Sequence, residues 1–140
     1  MLVIGGEDSW TSLATTEILD IDTMPFVPGP VISLGRYLCA VVSPPGSILM
    51  VGGDGGYNVL TYIETTEAPS LETMSFAAGP SMLTRRSGCA ALAMPQDESP
   101  RRALVVGGRN TNERISLATT EVLTGLRGLL AQLNTGGFCE

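Results

Sequence analysis

Leu49-Met50-Val51-Gly52-Gly53, followed downstream by Thr65-Thr66-Glu67, is the stretch on which the fold turns. The apolar run ending in a glycine pair occurs twice more, as Leu2-Val3-Ile4-Gly5-Gly6 and Leu104-Val105-Val106-Gly107-Gly108. The triplet also recurs, as Thr15-Thr16-Glu17 and Thr119-Thr120-Glu121. Between the first two triplets the offset is 50 residues and holds without a gap: Thr23-Met24 matches Thr73-Met74, Phe26 matches Phe76, Gly29-Pro30 matches Gly79-Pro80, Arg36 matches Arg86, and Cys39-Ala40 matches Cys89-Ala90. Residues 15–40 and 65–90 share eleven identities in 26 positions, too many for chance. The third triplet lies 54 residues on because Pro95–Arg102 lengthens one loop. A period of this size marks an array of repeated supersecondary units.

Each copy reads as a small antiparallel sheet. The apolar run Cys39 to Val42 is followed, across Ser43-Pro44-Pro45-Gly46, by Ile48 to Val51, which predicts a hairpin. The glycine pair ends the second strand, where positive φ or close approach of a neighbouring backbone is needed. A polar loop comes next (Glu7 to Ser12, Asp54 to Val59, Arg109 to Ser116), and a third strand starts near Thr-Thr-Glu. Asp22-Thr23 forms a turn, and Phe26 sits on a short fourth strand. Four strands in about 50 residues is the size of one propeller blade.

Composition narrows the chemistry. The chain has 140 residues, 44% of them hydrophobic, enough to bury a core, with 17 glycines and 9 prolines to serve many turns. All eight basic residues are arginine, and there is no lysine or histidine. That excludes a Walker-type phosphate loop, Schiff-base chemistry, a Ser-His-Asp triad and histidine-ligated zinc or copper. A net charge of −6 argues against nucleic acid and anionic membranes as partners. Cys39, Cys89 and Cys139 form no CxxC pair; in their apolar settings Cys39 and Cys89 read as small buried hydrophobes, with a disulfide between them as the sharper alternative. No signal-peptide core or membrane span is evident, so the expected setting is the cytoplasm.

The hydrophobic run before Gly-Gly, the Thr-Thr-Glu-Ile-Leu-Asp stretch and the aromatic that follows it resemble the kelch repeat family. The resemblance covers residues 1–124, with Phe26 and Phe76 where the family carries tryptophan, and Leu19 and Pro69 near its usual tyrosine. It implies an all-β, partial kelch-type β-propeller whose ring is not closed: an incomplete blade at 1–30, a complete one at 31–80 and a partial one at 81–124. The tail, 125–140, departs from the repeat. Leu126, Leu129, Leu130 and Leu133 fall on one helical face, which predicts a short helix there. With too few blades to close, the chain is expected to be a fragment of a longer propeller or to associate with itself through open blade edges.

No catalytic, metal or cofactor site emerges. Gly52-Gly53-Asp54-Gly55-Gly56 lacks the lysine of a phosphate loop and reads as a repeat turn. Asp20 and Asp22 supply too few oxygens for a hard cation. The recurrence of Glu17, Glu67 and Glu121 points to a structural role in every blade. Arg36 and Arg86 precede the first strand of their blades and carry two readings. In the resembled family, arginines at this position line a peptide-binding mouth; alternatively they form interblade ion pairs with the recurring glutamates. Arg85, Arg109 and Asn110 extend the same candidate rim. The function expected is a non-catalytic protein-interaction scaffold for a protein or peptide partner, an acidic one suiting the arginines. The alternatives are a fragment of an epimerase-like propeller enzyme and a truncated, nonfunctional gene product.

Overall fold

Short strands of two to five residues lie side by side, and the described residues are all-β with no helix among them. The computed structural model describes residues 1–43, 48–56, 62–95, 102–110 and 115–126. Unit 1 contains β1 (Leu2–Ile4), the hairpin β2 (Glu7–Asp8) and β3 (Thr11–Ser12), β4 (Thr16–Leu19) and β5 (Phe26–Pro28). Unit 2 contains β6 (Ala40–Val42), β7 (Leu49–Val51), β8 (Thr66–Ser70) and β9 (Ser75–Ala78). Unit 3 contains β10 (Ala90–Ala93), β11 (Ala103–Val106), the hairpin β12 (Arg109–Asn110) and β13 (Ile115–Ser116), and β14 (Thr120–Leu123). The main sheets run β1-β4-β5, β6-β7-β8-β9 and β10-β11-β14, all antiparallel and none closed on itself. The expected hairpin joining Val42 to Leu49 and the third strands at Thr-Thr-Glu are all present. The tail expected to be helical lies, from residue 127 onward, outside the described residues.

The triplet distributes its side chains by strand alternation. In unit 2, Thr66 shares a face with Val51 and Ala40, while Glu67 shares the opposite face with Met50 and Val41. We call these the threonine face and the glutamate face. The main core cluster joins Ala40, Val42, Leu49, Val51 and Ala68, all from the threonine face of unit 2, to Ala103, Val105 and Leu123 from the glutamate face of unit 3. Met82, from the connecting loop, packs into the same seam. Between units 1 and 2, Leu2 and Ile4 from a threonine face and Val41 and Ile48 from a glutamate face line one cavity of ≈ 390 Å³. Leu49, Met50 and Val51 are completely buried, whereas Val41, on the same face as Met50, is half exposed. At ~1.5–3 kcal/mol per buried aliphatic side chain, these seams dominate the stability of the array.

Backbone bonds tie the seams together. Gly6 N–H donates to Arg36 O at 3.0 Å, and Gly53 N–H donates to Arg86 O at 2.8 Å. Both glycines of each pair have positive φ. A Cβ on Gly5 or Gly52 would collide with the carbonyl oxygen of Arg36 or Arg86 in the next unit. The diglycine therefore meets both requirements, the left-handed turn and the close approach. The second threonine of the triplet holds the Gly-Pro turn: Thr16 Oγ1 donates to Pro30 O and Thr66 Oγ1 to Pro80 O, while Gly29 and Gly79 donate back to the threonine carbonyls.

Candidate functional site

Arg36 and Arg86 do not emerge on a rim. Both are completely buried, and their guanidinium groups are spent on bonds inside their own units. Arg36 Nη1 donates to Gly52 O and Thr65 O, and Nη2 to Thr65 Oγ1 and Glu67 Oε1. Arg86 repeats the pattern with Gly107 O, Thr119 O, Thr119 Oγ1 and Glu121 Oε1. Each glutamate also accepts from the loop ahead of its arginine: Glu67 from Ser33 N and Oγ, Glu121 from Leu83 N and Thr84 N. Of the two roles the sequence left open, the geometry shows the ion pair, and it corrects its location from between units to within one. Five donors in a fixed fork suit arginine to this junction of carbonyls and carboxylate. Burial pulls the Arg36 pKa down and Glu67 pulls against it. Among the described residues no buried side-chain nitrogen or oxygen lacks a partner.

The other rim residues scatter. Arg85 is exposed and pairs with Glu64 at 2.8 Å. Asn110 is half-buried, opposite Ile115 in the β12–β13 hairpin. Asp20 accepts from the N–H groups of Asp22 and Thr23, which lowers its pKa and commits it to the turn. Cys39 and Cys89 are free thiols rather than a disulfide, both half-buried, and burial pushes both thiols up.

Arg109 stands where the polar groups do converge. The residue after each glycine pair lies at the centre of a short three-stranded ladder: Tyr37, Asp54 and Tyr62 pair in unit 2, and Ser87, Arg109 and Ser116 pair in unit 3. Residues directly opposite one another share a face. Both triples, with Leu38, Gly88 and Leu117, line one cleft of ≈ 620 Å³ between units 2 and 3. One wall thus presents a carboxylate between two phenols, and the other a guanidinium between two hydroxyls. Burial, then the charge of Asp54 and its hydrogen bond with the Tyr37 hydroxyl, push the Tyr37 pKa up. Asp54 Oδ1 accepts from Gly56 N at 3.0 Å, which fixes the carboxylate.

Beyond the cleft, on the corresponding loop of unit 1, the β2–β3 hairpin turns through Ser9 and Trp10, both at positive φ (46° and 76°). Consecutive left-handed residues make the hairpin turn that matches strand twist. It leaves the indole of Trp10 74% exposed. Leu38, also at positive φ, is 59% exposed at the cleft mouth. Sequence reasoning passed over Trp10, Tyr37, Asp54 and Tyr62. A signal was available: the only tryptophan and all three tyrosines fall just ahead of a first strand or between a diglycine and the Thr-Thr-Glu that follows it.

No protein-family model matches the chain, and no curated protein matches it either. Among the described residues, no helix is long and apolar enough to cross a membrane.

Proposed function

We propose that the chain is a segment of a kelch-type β-propeller acting as a non-catalytic interaction scaffold, whose diglycine-side loops bind a protein or peptide. One observation carries this reading. The repeat's own conserved-looking set of triplet, diglycine and arginine is consumed by internal bonds, whereas the positions that differ between copies, Tyr37/Ser87, Asp54/Arg109 and Tyr62/Ser116, line a shared cleft. A scaffold that holds its frame constant and varies its loops is the usual division between folding and recognition. Packing of unit 2 on unit 3, threonine face on glutamate face, supports the propeller reading. The cleft suits an extended peptide that offers a carboxylate to Arg109 and a donor to Asp54, with its apolar part against Leu38 and the tyrosine rings. Such a partner is acidic at one position rather than acidic throughout.

Selection from a displayed random-peptide library tests the proposal. The expected outcome is enrichment of peptides carrying Asp or Glu. Their binding should fall by about 10-fold or more with Arg109→Ala or Asp54→Asn, the loss of one charged hydrogen bond, while thermal melting is unchanged. Absence of an enriched class, or binding indifferent to both substitutions, rejects the cleft as the site.

A further inference from the structure

We infer that a second copy of this chain stacks head to tail on the first, the glutamate face of its unit 1 covering the threonine face of unit 3. The repeat itself supplies the template, because a threonine face packs on a glutamate face between units 2 and 3, and the same two kinds of face line one cavity between units 1 and 2. Among the described residues, two faces of the array remain without that cover. On unit 1, Val3 is 40% exposed, whereas its counterparts Met50 and Val105 are 0% exposed. Met1 and Phe26 lie open on the same face. On unit 3, Val106 and Val122 are 38% and 47% exposed, whereas Val51 and Ala68 at the corresponding places are 0% and 3%. Leu92 adds to that face. Each open surface is thus the mate of the other by the same rule that builds the interior, and neither is the mate of itself. The contact is heterologous: like faces do not pair.

Two copies would contribute six stacked sheets, within the four to eight at which radial arrays close. Both junctions then become equivalent and the assembly ends as a dimer. That closure rests on the propeller reading above, whereas the pairing of faces does not. Glu17 limits the affinity. Its counterparts Glu67 and Glu121 each hold a buried arginine, but Glu17 has no such side-chain partner among the described residues. Burying it unpaired opposes association.

The test is the mass of the 140-residue chain in solution across a concentration series, by light scattering. The expected species has twice the 14.6 kDa of one chain. Val3→Arg and Val122→Arg, each at an exposed position, should each raise the dissociation constant by at least about 100-fold. Mixing the two variants should recover part of the association, because one of the two junctions then joins two intact faces. Glu17→Met should tighten the dimer. A monomer at all concentrations overturns the inference, as does a dimer indifferent to both arginine variants, or one abolished by a single variant and not rescued by mixing. A ladder of larger oligomers sensitive to both variants would support the face pairing and reject ring closure, which separates the two readings.

Discussion

Replacing Arg36 by methionine would leave the Glu67 carboxylate buried without its counter-charge, together with two backbone carbonyls that have lost a donor. A loss of about 3–5 kcal/mol is expected in urea denaturation. The double substitution Arg36→Met with Glu67→Met should recover part of it, because no bare charge remains. Arg36→Lys should not rescue, since a point charge cannot span acceptors arranged for a fork. The glycines allow a second comparison. Gly52 and Gly88 share φ +61°, but a Cβ at Gly52 strikes the Arg86 carbonyl and one at Gly88 meets nothing within 4 Å. Gly88→Ala should therefore cost about 1 kcal/mol for the left-handed backbone alone. Gly52→Ala should cost at least ~2 kcal/mol more, because a backbone seam must shift. The sequence disclosed that these arginines and glutamates recur together. It did not disclose that they bond each other, because spacing of 31 residues between Arg36 and Glu67 says nothing of which face a side chain takes.

Strands and turns were the most readable elements. Alternation around Thr-Thr-Glu and the Pro-Gly turns placed β4, β6, β7 and β8 within a residue or two. The two-residue strands of the diglycine hairpins were not legible, since Glu7-Asp8 and Thr11-Ser12 carry no apolar period and are held by their turn. The loops carry two further predictions. Leu38 takes a left-handed conformation at the place where unit 3 has Gly88. Leu38→Gly should raise stability by about 0.5–1 kcal/mol in thermal melting by relieving that strain, yet weaken peptide binding by stripping the cleft mouth. Glu121 anchors the loop before β10 to β14. Burial raises its pKa, but the Leu83 and Thr84 N–H groups and Arg86 outweigh it, so the folded value lies below the ordinary 4.5. A depressed carboxylate stabilises above its unfolded pKa and is lost as pH falls through the folded one. Stability should thus decline below about pH 4.5, and Glu121→Gln should flatten that part of the pH profile while lowering stability at neutral pH.

Across the whole molecule, a linear array in which each unit touches only its neighbours distributes stability unevenly. The central strands of unit 2 carry the fully buried Leu49, Met50 and Val51, whereas Val3 of unit 1 and Val106 and Val122 of unit 3 are exposed. Amide exchange should be slowest in β7 and β8, and faster in β1 and β14. Equal protection across all three sheets would contradict nearest-neighbour stacking. Leu49→Ala, at the seam with unit 3, should cost about 2–5 kcal/mol and speed exchange in units 2 and 3 together. The number and order of units could be read from the repeat, while the cleft between units 2 and 3 could not. Its residues lie exactly where the copies differ, and a search for likeness passes over differences.

Main-chain atoms also cross each junction, glycine N–H to arginine carbonyl, and this bond does not depend on the arginine side chain. The guanidinium clasp stays inside each unit. Every unit is for that reason an interchangeable cassette. Duplication, deletion or reshuffling at the Gly-Pro joints would leave the stitching intact, and a new order of cassettes would rewrite the sequence of charges along the mouth without redesigning the cloth.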